Sequence, residues 1–118
     1  MSSEQILVLE GLGVNMSETM ERFMGNETLY FKCLRKFVEN KDFDMLLEKI
    51  AEKNVTDAFE YSHGLKGVVG NLGFSILFKE ISVLTDVFRA GSLDYSETNF
   101  NKVKDEYARV ISHLETII

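Results

Sequence analysis

The stretch that decides the fold is VTDAFEYSHGLKGVVGNLG, residues 55–73. On a helical wheel at about 100° per residue, Ala58, Ser62, Leu65, Val69 and Leu72 gather on one side, as expected of a helix with one face in a core. Asn54, just ahead, can accept a free amide as an N-cap, and Asp57 puts a negative charge in the first turn, where the helix dipole favours one. Gly73 suits a left-handed C-cap.

The flanking segments read the same way. Ser17 can cap a short helix through Met24, Gly25-Asn26 stops it, and Asn26 can cap a helix to about Val38 with Tyr30, Leu34, Phe37 and Val38 on one face. Asp42 can cap the next, striped by Phe43, Leu46, Leu47 and Ile50. After Gly73 a helix starts near Phe74 and ends at Gly91, striped by Leu77, Ile81, Leu84 and Phe88. The last begins after Ser96, and its stripe is Phe100, Val103, Tyr107, Val110, Leu114 and Ile117. No proline interrupts any segment, and no period-two strand pattern occurs. A tight turn at Gly73 makes the helices on either side of it neighbours. The expected fold is all-α: an up-down antiparallel four-helix bundle with additional short N-terminal helices. Residues 1–10 are read as an N-terminal extension, a linker or a packing segment, and residues 11–118 as the bundle.

The composition limits what such a bundle does. The chain has 118 residues, enough for one hydrophobic core, and its 45% hydrophobic and 27% charged residues argue against disorder. A net charge of −6 with no basic run disfavours nucleic-acid phosphates and anionic lipid. No segment approaches the roughly 20 apolar residues of a membrane span. The apolar patch Ile6 to Leu9 is flanked by Glu4 and Glu10, unlike a secretory signal, so a cytoplasmic location is expected. Cys33 is the only cysteine and reads as a small buried hydrophobe among Phe31, Leu34 and Phe37.

His63 stands out on the central helix. It lies roughly 140° from the centre of the apolar stripe and should be exposed. Lys66, Gly67 and Gly70 fall on its side of the helix. Helix side chains lean toward the N-terminus, so a side chain at position 67 would lie over the imidazole, and glycine there leaves the ring uncovered. Lys66 can hydrogen-bond an oxygen of a phosphoryl group on that ring. Gly64, Gly67 and Gly70 together cost a helix on the order of 2–3 kcal/mol relative to alanine, so they serve something besides helix stability. Either they open the histidine to a partner or they let another helix approach closely.

The run His63-Gly64-Leu65-Lys66-Gly67-Val68-Val69-Gly70-Asn71-Leu72-Gly73 resembles the motif of the histidine-containing phosphotransfer (HPt) domain family, roughly His-x-Leu-Lys-Gly and then Asn-Leu-Gly. Met24-Gly25-Asn26-Glu27-Thr28-Leu29-Tyr30 is similar to the Gly-Gly-Asp-Glu-x-Leu-Tyr opening of the family's next helix. The acidic helix at Asp42, the Phe-rich helix after Gly73 and its Ala90-Gly91 ending also fit, so the resemblance spans about residues 11–118.

The resemblance implies a phosphocarrier of a two-component phosphorelay. His63 would exchange a phosphoryl group through Nε2 with an aspartate of a receiver domain, on a response regulator or a hybrid sensor kinase. Lys66 would steady the phosphoryl group, and Gly67 would keep the site open. Asn71, Leu72 and Gly73 would shape the helix end. Gly67, Gly70, Phe59 and Arg89 would border the surface a partner meets, although Phe59 also reads as an edge of the core and Arg89 as a solvated helix-end cation. Several family members carry a glutamine on the adjacent helix that hydrogen-bonds the histidine. Thr85 stands at the equivalent position, and as an orienter it would need a water to reach the ring.

No GxxxxGK[ST] loop or Gly-rich nucleotide lid is present, so the expected role is a carrier rather than an autokinase, with no cofactor or metal of its own. The metal that offsets phosphoryl charge would come with the receiver's carboxylates, and a monomer suffices. Two other readings compete. Glu60-Tyr61-Ser62-His63 has the ligand spacing of a di-iron bundle, but the only other histidine, His113, has Val110 where the matching glutamate should be. The second is a scaffold or interaction module that binds signalling partners without carrying phosphate.

Overall fold

Seven helices make up the computed structural model, which describes residues 1–118: α1 (Ser3–Gly11), α2 (Met16–Arg22), α3 (Glu27–Glu39), α4 (Asp42–Ala51), α5 (Val55–Leu72), α6 (Ser75–Arg89) and α7 (Glu97–Leu114). The fold is all-α, with no strand. Asn26, Asn54 and Ser96 cap α3, α5 and α7 as expected, each accepting the amide three residues on. Two other helix starts differ from the sequence reading. The cap of α2 is Asn15, not Ser17: its extended backbone lets Oδ1 accept the Glu18 amide at 3.0 Å, and Ser17 falls inside the first turn. Asp42 does not cap α4 but is its first residue. The Asn40 side chain reaches two residues forward and accepts the Asp42 amide at 2.6 Å.

Helices α4 to α7 form the bundle. Helix α5 packs between α4 and α6, and α6 packs in turn on α7. The ring of four closes where Phe43 of α4 stacks on Tyr107 of α7, with centroids 4.0 Å apart. Every residue of the α5 stripe is buried, as are Leu77, Ile81, Leu84 and Phe88 of α6. On α7, Val103, Val110 and Leu114 are buried, while Phe100 and Tyr107 pack half-exposed against the core. No helix is long and apolar enough to cross a membrane.

Helices α1 to α3 cover the end of the bundle where α5 turns into α6. Arg22 of α2 donates through Nε to the Asn71 carbonyl at 3.1 Å, and Tyr30 of α3 donates to the Leu72 carbonyl at 2.9 Å. Residues 1–10 take the packing alternative. Ser2 and Gln5 cap α1 reciprocally, Leu9 is fully buried, and Gln5 Nε2 donates to the Ile117 carbonyl at 3.2 Å. Cys33 is half-buried rather than buried. It lies at the rim of α3 and, with Lys36, Val68 and Asn71, lines a groove between α3 and α5.

Candidate functional site

His63 sits at the middle of α5 on the exposed face. Of the two histidines only His113 pairs with a protein group, through Nδ1 and the Arg109 carbonyl at 2.8 Å. The His63 ring follows the lean of helical side chains and lies on Phe59 one turn back, with centroids 5.4 Å apart and planes 20° from parallel. Phe59 is half-buried and packs against the core, so it is an edge of the core that also carries the histidine.

The glycines divide into two kinds. A Cβ on Gly64 or Gly67 would meet nothing within 4 Å, so neither makes room for a neighbouring helix. Contrary to the sequence expectation, a Cβ on Gly67 would stay more than 4 Å from the imidazole, because the ring lies back on Phe59 toward the N-terminus, so the glycine is not what uncovers it. Gly70 behaves differently: a Cβ there would stand 3.0 Å from two ring carbons of Phe78 on α6. Gly70, expected on the partner surface, instead serves the close approach of α6.

Phe78 is a site residue that sequence reasoning missed. It lies one position past Leu77, just off the α6 stripe, and is 38% exposed next to Gly70. The one available signal was an aromatic residue adjoining an apolar stripe, which does not say which helix it faces. The Lys66 ammonium lies 5.6 Å from its ring centroid, a cation–π distance. Lys66 makes no ion pair, so its charge remains free for an anion.

Arg89 is tied down twice. Its Nη1 is 2.7 Å from Asp86 Oδ1, and its guanidinium carbon lies 5.5 Å from the Phe59 centroid. The Asp86 pairing offsets its charge locally, which leaves Lys66 as the unpaired cation of the α5 site. Thr85 is fully buried, and its hydroxyl donates to the Ile81 carbonyl at 2.7 Å. It is therefore no orienter of the ring. A threonine in a helix satisfies its hydroxyl most simply on the carbonyl four residues back.

Asn71, Leu72 and Gly73 belong to the helix end. Gly73 has φ +92°, and a Cβ there would stand 2.7 Å from Thr19 Oγ1 and 3.1 Å from Val14 Cγ1. The Tyr30 hydroxyl on the Leu72 carbonyl is buried, and desolvation pushes its phenol well above the ordinary range despite the opposing charge of Arg22. This packed end fixes the start of α6, the helix from which Phe78 meets Gly70 and Lys66 and Arg89 meets Phe59. In comparisons with known proteins, the chain matches no family model, no curated protein and no solved structure.

Proposed function

We propose that this bundle is a phosphocarrier that exchanges a phosphoryl group between His63 and an aspartate of a receiver domain. The observation that carries the reading is an exposed imidazole, free of protein hydrogen bonds, on a helix face left open at Gly64 and Gly67. The motif resemblance and an unpaired lysine one turn away add to it.

The chemistry is a direct displacement at phosphorus. The unprotonated nitrogen of a neutral imidazole forms the N–P bond while the P–O bond to the aspartyl oxygen breaks. The carboxylate leaves with that electron pair, and the ring keeps the proton on its other nitrogen. Phosphoryl transfer is mostly positioning and charge stabilisation, so this chain's contribution is an accessible nucleophile and the Lys66 ammonium beside it. The reverse displacement returns the group to a carboxylate.

Incubation with a receiver domain carrying radiolabelled aspartyl phosphate tests this. Wild type should acquire an acid-labile, alkali-stable label that His63→Gln does not. Absence of label across the receivers of one organism would overturn the carrier reading in favour of a partner-binding bundle.

A further inference from the structure

We infer that Phe59 is the positioning residue for the reacting imidazole, an aromatic platform steadied by Arg89 that does the work of a hydrogen-bonded orienter. The inference rests on the phosphotransfer reading of His63. Three observations carry it. The His63 ring is exposed and hydrogen-bonds to no protein group, so no polar side chain fixes its rotation. Thr85, the α6 residue expected to orient it, is buried with its hydroxyl committed to Ile81. Phe59 lies nearly parallel to the imidazole at 5.4 Å, and the Arg89 guanidinium lies over the same phenyl ring at 5.5 Å.

The arrangement suits the displacement. A free histidine on a helix samples several rotamers, and only some present a nitrogen to an incoming phosphorus. Stacking selects the rotamers that lie back on Phe59 at little cost, because the platform is half-buried and already ordered. It also covers only a face of the imidazole. The nitrogen lone pair that attacks lies in the ring plane, so the reactive edge stays open. Phe59 is held in turn by the core beneath it and by Arg89, which Asp86 anchors at 2.7 Å. A hydrogen-bonded orienter would occupy one ring nitrogen, whereas this platform occupies none.

The test compares wild type with Phe59→Leu, Phe59→Tyr and Arg89→Gln, each first shown to be folded by its denaturation curve. Two readouts are used: the rate of labelling from a phosphorylated receiver, and the shifts of the His63 ring protons by NMR. Stacking should place those protons upfield in wild type and Phe59→Tyr relative to Phe59→Leu. Labelling should slow by about tenfold or more in Phe59→Leu, toward the roughly hundredfold that a misplacement of about 1 Å can cost a reacting group. Phe59→Tyr should restore most of the rate, and Arg89→Gln should fall between. A Phe59→Leu protein that labels at the wild-type rate, or whose His63 ring protons do not move, overturns the platform while leaving the carrier function standing. A wild-type protein that takes no label overturns both.

Discussion

Gly67 and Gly73 stand six residues apart on one helix and meet opposite surroundings. Around Gly67 a methyl group would find only solvent, whereas at Gly73 it would strike Thr19 and Val14 on a backbone with φ +92°. One glycine borders open space on the surface, and the other lets the molecule close on itself. A single run of sequence thus joins an open region to a packed one. The second serves the first, because the turn at Gly73 sets the register of α6 against α5.

The largest effect expected from this contrast is on the packed side. Gly73→Val should destabilise the fold by about 2–4 kcal/mol, combining left-handed strain with overpacking against Thr19 and Val14. Urea denaturation reads this directly, and a loss below about 0.5 kcal/mol, the scale of an ordinary surface substitution, would break the comparison.

Tyr30→Phe comes next and should cost about 1–3 kcal/mol, because the Leu72 carbonyl loses its buried donor. Burial also raises the phenols of Tyr30 and Tyr107, the latter with help from the carboxylates of Asp44 and Asp42. A pKa raised by folding means that the protonated phenol favours the native state. That stability is fully present below the ordinary phenol value of about 10 and is lost as pH rises through the elevated native values. The urea midpoint of wild type should therefore fall above about pH 10. The fall should be shallower in Tyr30→Phe, and equal slopes in the two proteins would show that Tyr30 ionises as freely folded as unfolded.

On the open side the sign reverses. Gly67→Ala should stabilise the bundle by about 0.5–1 kcal/mol, since alanine is the better helix former and meets no neighbour. It should also slow labelling of His63 by a receiver, not by covering the ring, from which the methyl group stays more than 4 Å away, but by filling open space that the docked receiver would use. A gain in stability with no loss of rate would leave the open space without a purpose. The smallest effect belongs to Gly70→Ala. The helix gain there is offset by the few tenths of an ångström that Phe78 must give, so the net change should stay within about 0.5 kcal/mol. A loss of 2 kcal/mol or more, as for overpacking in a tight core, would move Gly70 into the company of Gly73.

Much of this was legible before any coordinates. The five-residue stripe of α5, the caps at Asn26, Asn54 and Ser96, the left-handed Gly73 and the exposure of His63 all follow from spacing within one turn or two. Errors came where two local signals compete. Asn15 and Ser17 both stand at the start of α2, and the one whose backbone is extended takes the cap while the other falls in the first turn. The site was read less completely, because Thr85, Phe78 and Gly70 have ordinary local sequence. Their parts depend on which face α6 turns toward α5.

The sequence by itself determined the helices, their buried faces and the placing of a histidine, a lysine and an unhindered glycine on one exposed side. These are properties of 3.6-residue periodicity and of caps that act across three or four positions. Only the tertiary structure decided that Gly70 is crowded while Gly67 is free, that Thr85 faces inward, and that Phe59 joins His63 to Arg89. Those contacts depend on the rotation and register of one helix against another. That relation is set by the whole core and the Gly73 turn together, and no local stretch of sequence encodes it.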